Sequence, residues 1–438
     1  DTVSIGGVDM TLQPITKRQE QLQSQLRTKG SSGWSGLLGL LILTLLQMTM
    51  VIGFLLNGPA EEYPLYLLGF GSVTVCQWML FFFYLMIRRS SFEVETLAFF
   101  LCSIGVAAIA TVKPGELGKQ SAAMFLGVIM FLVIGWSLRD LERAKRVRYL
   151  AVLAGVGFLV VTLLFGKEYY GAKNWLVIGG MSLQPSELSK VCFVYAGAST
   201  MDRIMNKRNL ILFIAYSIVI CGLLAIMNDF GTAMIFFCAF LIIAYLRSGS
   251  VGTIALACTA LAFAGVLAIQ IAPHAMNRFA SWRHIWESPY TSGYQQTQAI
   301  MCIASGGLYG LGPGNGYLQK VFAADSDIVF ATISEEWGLL MALQAVLAIS
   351  VLGLFSMRTS RVSRSSFYCI GGCTAAGILL IQASLNCLGT VDVLPFTGVT
   401  FPFLSNGGTS MIGAWGLLAF VKAADTRQNA SFAVRFNK

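Results

Sequence analysis

The sequence predicts an all-α polytopic membrane protein. Three observations carry that reading. Of the 438 residues, 56% are hydrophobic and only 12% charged, about half the charged share of an ordinary soluble domain. Apolar runs of about 20 residues, enough to cross a bilayer as a helix, recur along the chain. They do not alternate in the short period-two segments of a membrane barrel. Lys and Arg fall on alternate connections, and this bias orients the runs.

Taken in order, residues 1–33 are polar and read as a cytoplasmic tail rather than a signal peptide. Spans are expected near 34–56, 65–87, 94–112, 119–138, 148–166, 186–204, 209–227, 230–246, 251–272, 327–357, 366–388 and 409–424, twelve in all. The first turn, Asn57-Gly58-Pro59 with Glu61 and Glu62, holds no Lys or Arg, whereas Arg88 and Arg89 follow the second span. The connection after 138 carries Arg139, Arg143, Lys145, Arg146 and Arg148. With the N-terminus inside, most of the 30 Lys and Arg become cytoplasmic. Lys113, Lys119, Lys167, Lys173, Arg278, Arg283 and Lys320 are the outer basic residues. Both termini are then cytoplasmic, and three polar segments, 167–185, 273–326 and 389–408, share the outer face. The domain reading is a tail (1–33), two N-terminal transmembrane helices (34–90), a core (91–424) with a large outer loop at 273–326, and a tail (425–438). No fixed-period repeat appears, which weakens a symmetric-transporter reading.

Composition also excludes chemistry. Two histidines, His274 and His284, leave little room for a His-based metal site or triad. The ten cysteines, most inside apolar spans, read as small hydrophobes. No nucleotide loop is present, because Gly306–Gly316 lacks the Walker pattern and follows no strand. A glycine-rich run in a membrane protein instead lets a loop pack closely or re-enter.

The chemistry-bearing residues lie on the outer segments. In KEYYGAKNWLVIGGMSLQPSELSK (167–190), Pro185 opens a helix, and Glu187 and Lys190 share a face at i, i+3. That pair reads either as a salt-bridged helix start or as a polar pair lining a cavity. Lys173 and Trp175 offer a cation for phosphate and an aromatic face for a sugar ring. Asp229, in Asn228-Asp229-Phe230-Gly231-Thr232, reads first as a helix cap. Gln295, Gln298 and Gln319 supply hydrogen-bonding groups. Asp325 and Asp327 are expected at the start of the helix after the large loop, either as caps or, chemically, as a general base. Glu335 and Glu336 lie two turns deeper, one of them an interior polar partner. PFTGVTFPFLSNGGTS (395–410) reads as a folded-back loop exposing the Ser405 and Ser410 hydroxyls.

GAKNW, QPSELSK, DFGTA, YQQTQA with SGGLYGLGPGNG, SDIVFATISEE and LPFTGVTFPFLSNGGTS, in this order, resemble the SEDS family (shape, elongation, division and sporulation), of the FtsW, RodA and SpoVE types. The resemblance covers roughly 94–424. It implies a ten-helix bundle, here with two extra N-terminal helices, and a peptidoglycan glycosyltransferase that polymerises undecaprenyl-linked lipid II at the outer leaflet of the bacterial cytoplasmic membrane, for elongation, division or sporulation. It implies a class B penicillin-binding transpeptidase as partner. The family's essential Asp corresponds to Asp327, and its Q-P-S-E-x-x-K carboxylate and cation to Glu187 and Lys190. The chain departs at Phe322-Ala323 (for Pro-Glu), Ser326-Asp327-Ile328 (for T-D-F), Met227-Asn228-Asp229 (for Q-P-D) and Asn406 (for Tyr). The expected mechanism is inverting transfer with Asp327 as base and Lys190, Lys173 and Arg278 or Arg283 offsetting the diphosphate. No metal ligands are assigned. A divalent cation, magnesium or manganese, stays open. The rivals are a flippase for the lipid-linked precursor and a non-catalytic scaffold for the transpeptidase. Motifs gathered on one face favour surface chemistry over a transport path.

Overall fold

The computed structural model describes residues 33–89, 91–169, 171–178, 181–201, 207–252, 280–360 and 365–425, with the single positions 255, 258, 259 and 363. The helices are α1 (Gly33–Asn57), α2 (Tyr63–Met86), α3 (Glu93–Val112), α4 (Leu117–Leu138), α5 (Leu141–Phe165), α6 (Pro185–Met201), α7 (Lys207–Ile226), α8 (Phe230–Ser248), α9 (Tyr294–Gly306), α10 (Val329–Glu336), α11 (Gly338–Ser360), α12 (Ser366–Thr390) and α13 (Gly408–Ala424). Among the described residues nine helices are long and apolar enough to cross a membrane. The 17-residue α6 and α13 complete eleven of the expected twelve positions. The span expected at 251–272 and both tails fall outside the described residues, apart from a few positions.

α13 is the hub. It packs against α4, α12, α6 and α11, and nearly every one of its side chains is buried. Trp415 is fully buried among Phe99, Phe131 and Phe403. Gly127 permits this, because a Cβ there would stand 2.7 Å from the indole. The outward faces keep leucines and isoleucines exposed, such as Leu45, Leu153, Ile211 and Leu347, as lipid contact requires.

The N-terminal hairpin is fastened to the core at three depths. At the outer end the Phe54 ring meets Trp337 at a tilt, and Gly53 lets Pro313 approach. Midway, Gln47 donates to Gln77 Oε1 and Ser103 Oγ at 2.9 Å each, and Gln77 donates back to Gln47 at 3.0 Å. At the inner end Lys422 of α13 lies 3.0 Å from the Glu95 carboxylate, which also accepts from Tyr84 at 2.7 Å.

One expectation fails in a physically clear way, and one polar segment takes a structure the sequence left unassigned. The helix expected at 327–357 is two helices. Gly338 takes φ +85°, and a Cβ there would collide with the Leu308 carbonyl, so the glycine-rich segment packs into the break. The interruption at 167–185 is not loop alone. It forms an antiparallel sheet in the order β1 (Lys167–Tyr169), β2 (Ala172–Ile178), β3 (Met181–Leu183), satisfying backbone groups outside the helices.

Candidate active site

The outer face, as the charge bias assigns it, holds a cavity of about 360 Å³. Its walls come from β2 (Asn174, Trp175), the start of α6 (Gln184, Glu187), the α7–α8 turn (Asn228, Asp229), α9 (Gln295, Gln296), the turn before α10 (Phe322, Ser326, Asp327) and the 391–407 loop (Thr397, Gly398, Thr400, Asn406). Three carboxylates line it among the described residues, and no Lys or Arg does. Two are occupied: Asp229 caps α8 through the Thr232 N–H and accepts from Asn174, and Glu187 accepts from Lys190 at 2.8 Å. Asp327, the third, is half-buried and lies beside the folded-back loop. Gly398, at φ +66°, makes room for it, since a Cβ there would sit 3.2 Å from Asp327 Oδ2.

The segment carrying Asp327 is held by its backbone. The N–H groups of Ser326, Asp327 and Ile328 all point at the Ala323 carbonyl, with Ala323 at φ +55°. Asn386 of α12 donates to the Asp327 carbonyl at 2.9 Å and to Val399 at 2.9 Å, joining the turn to the outer loop. Sequence reading missed Asn386. Only its place as one of two amides, with Gln382, in an otherwise apolar helix marked it.

The sequence candidates divide. Asp327, Trp175, Glu187 and Gln295 line the cavity, and Gln295 also donates to the Phe322 carbonyl at 2.8 Å. Lys190 is 1% exposed and turned into its pair with Glu187, so the cavity meets the carboxylate and not the cation. Lys173 is not in the wall, whereas its strand neighbours Asn174 and Trp175 are. Gln298 is also outside the wall. Its neighbour Gln296 lines it while donating to the Gly389 carbonyl. Ser405 and Ser410 do not expose hydroxyls. Ser405 donates to the Ser326 carbonyl at 2.6 Å, and Ser410 pairs with Thr400 at 2.8 Å. Arg283 holds Asp392 through its backbone N–H and is no part of the wall, and Arg278 lies outside the described residues. The expected cation set for a diphosphate is therefore not gathered among the described residues.

Asp325 and Asp327 are not caps either, since α10 begins at Val329 without a side-chain cap. Asp325 is 1% exposed and bound to Lys113 and Asn406. Glu335 and Glu336 clamp the glycine-rich segment. Glu335 accepts from the Tyr317 and Leu318 N–H groups at 2.8 and 2.9 Å. Glu336 accepts from Gly316 N–H and from Thr111. It lies outside the long spans, and burial pushes its carboxyl up to about 7 against hydrogen bonds that hold it down.

No cluster of three or more His, Cys, Asp or Glu suited to a metal occurs among the described residues. The donor set suits a hard cation only in the mode where one carboxylate, Asp327, shares it with substrate phosphate oxygens.

A multi-helix membrane protein with an acidic, amide-walled cavity open on one face is the class these features define. The chain belongs to the cell cycle protein family of FtsW, RodA and SpoVE, whose model matches residues 97–430. It is 29% identical over 325 residues to the peptidoglycan glycosyltransferase RodA of Mycobacterium tuberculosis (strain ATCC 25618 / H37Rv), covering 69% of each chain. It is 31% identical over 323 residues to the probable peptidoglycan glycosyltransferase FtsW of Nitrosococcus halophilus (strain Nc4), covering 70% of this chain and 82% of that one. Its fold matches Thermus thermophilus RodA with a TM-score of 0.55 at 22% identity, over 76% of this chain and 95% of that one. It also matches a chain solved in work on a peptidoglycan synthase complex that coordinates polymerization and crosslinking, with a TM-score of 0.63 at 24% identity, over 76% of this chain and 96% of that one.

Proposed function

We propose that this protein is a peptidoglycan glycosyltransferase that polymerises lipid II at the outer face of the bacterial cytoplasmic membrane, with both termini inside. Asp327 accepts the proton of the acceptor sugar's hydroxyl. That oxygen bonds to the anomeric carbon of the second lipid-linked sugar, whose bond to the diphosphate breaks with inversion. Lipid diphosphate leaves with the electron pair. Amides of Asn174, Gln295 and Asn406 and the ring of Trp175 suit a sugar, which needs many hydrogen bonds and an apolar face. Asp327 is the residue that would hold a divalent cation, which would supply positive charge against the diphosphate where no Lys or Arg lines the cavity among the described residues.

The carrying observation is the place of Asp327, a half-buried carboxylate in the cavity wall with Trp175, Gln295, Asn406 and the 396–400 stretch of the outer loop. Below the cavity the hub helix is packed apolar core around Trp415, which argues against a lipid headgroup path and hence against the flippase reading. The partner is a class B penicillin-binding protein, a reading supported by the likeness to a chain of a synthase complex.

The test is polymerisation of purified lipid II by the protein with its transpeptidase, with and without chelator. Asp327→Asn should lower the rate by about 10²–10⁴-fold, the span of general-base catalysis, with unfolding temperature unchanged. Equal glycan from both forms would remove Asp327 from the mechanism.

A further inference from the structure

We infer that Lys113, Asp325 and Asn406 form a positioning set that fixes the turn bearing Asp327. The inference rests on the glycosyltransferase reading for its activity test, and on geometry alone for its argument.

Asp325 is almost fully buried, yet its carboxylate takes three contacts. Lys113 Nζ reaches Oδ1 and Oδ2 at 2.9 and 3.1 Å, and Asn406 Nδ2 donates to Oδ2 at 2.7 Å. The Asn406 N–H also donates to the Asp325 carbonyl at 2.8 Å. One residue thereby ties together the C-terminal end of α3, the turn at 323–328 and the outer loop. Lys113 remains half-exposed in its side chain, so hydration offsets part of the cost of burying the carboxylate. The turn needs such a hold. Ala323 sits in left-handed backbone that side chains rarely adopt, and three successive N–H groups crowd on its carbonyl. Two residues after Asp325, Asp327 meets the cavity and Gly398. Asp325 itself is buried and absent from the cavity wall, so it does not meet a sugar. Its effect passes through the turn. Asn406 lines the cavity as well, so the set joins the wall to the base.

In the lipid II assay, Asp325→Asn should lower kcat about 10- to 100-fold with KM within threefold, the penalty expected of a slightly misplaced catalytic group. Lys113→Met should lower kcat about 10-fold. The double variant should be no worse than Asp325→Asn alone, because both remove one unit. A merely structural role would lower the unfolding temperature and leave kcat per folded molecule alone. That result, or additive losses, or a loss confined to KM, would overturn the inference. A second readout does not need turnover. The reaction rate of an Asp327→Cys thiol with a water-soluble maleimide, followed by mass spectrometry on that peptide, should change at least fivefold when Lys113→Met is added. An unchanged rate overturns the positioning role. An inactive wild type defeats only the glycosyltransferase reading, and the labelling still decides this one.

Discussion

Two buried lysine–glutamate pairs sit in this molecule with nearly the same chemistry and different surroundings. Glu187 and Lys190 are one turn apart on α6, 7% and 1% exposed in their side chains. Glu95 and Lys422 join α3 to α13, both fully buried, closed by Tyr84 and the Ser91 carbonyl. Burial and pairing do not distinguish them. Access does: Glu187 faces the cavity and Glu95 faces nothing but protein. The largest expected effect follows. Glu95→Gln or Lys422→Met leaves one uncompensated buried group and should cost about 3–5 kcal/mol, read as a drop in unfolding temperature in detergent. The double Glu95→Met/Lys422→Met change should restore most of that stability and full polymerisation per folded molecule. Glu187→Met/Lys190→Met should also recover stability, but with polymerisation down at least tenfold. Equal activity in both doubles would erase the distinction between a sealed pair and a cavity pair.

A smaller effect separates the clamp from the base. The Glu336 carboxyl is raised to about 7 chiefly by burial. A raised carboxyl means the protonated form is favoured on folding. Its stabilising contribution is complete below the ordinary glutamate range, near pH 4–5, and is lost as pH rises through about 7. Hydrogen exchange in segment 311–318 should therefore quicken from pH 5 to 8, after correction for intrinsic exchange, and Glu336→Gln should flatten that dependence. An unchanged slope in the variant would assign the pH response elsewhere.

Gly398→Ala probes the cavity wall more gently. It places a Cβ against Asp327 at a position of positive φ, for about 1–2 kcal/mol of backbone strain. Polymerisation should fall about tenfold, beyond what the stability loss explains. Retained activity would mean that the loop yields and that Asp327 is not held against it.

What the sequence made legible was what periodicity and charge encode locally. Span positions, the common face of the three polar segments and the pairing of Glu187 with Lys190 follow from helical spacing and Lys/Arg bias. What it hid depends on contacts between distant segments. Lys190 was legible as a partner of Glu187 but not as the member turned away from the cavity. Ser405 and Ser410 looked exposed in a Gly/Pro-rich run, yet in the folded-back loop the Ser405 hydroxyl bonds the Phe401 N–H and the Ser326 carbonyl, and the Ser410 hydroxyl pairs with Thr400. Asp325 resembled a cap because only the fold brings Lys113 and Asn406 to it. Asn406 and the Phe322–Ala323 stretch stood out as departures from family motifs. Their proximity across Asp325 makes those departures one local arrangement rather than scattered changes.

The smallest effect tests whether the N-terminal hairpin belongs to the catalytic body or only accompanies it. Gln47 and Gln77 exchange hydrogen bonds and extend them to Ser103, Thr44 and Thr74. Hydrogen bonds between membrane helices are individually modest, about 0.6 kcal/mol on average. Gln47→Leu removes several at once and takes the Gln47 donor from Gln77 Oε1, while Gln77 keeps its bond to Thr44, so about 1 kcal/mol is expected, seen as a small fall in unfolding temperature. Glycan synthesis should not change, because the hairpin remains fastened above by Phe54 against Trp337 and below by Tyr84 on Glu95. A loss of activity with stability intact would instead couple the hairpin to the glycine-rich segment, which it touches through Gly53 and Pro313.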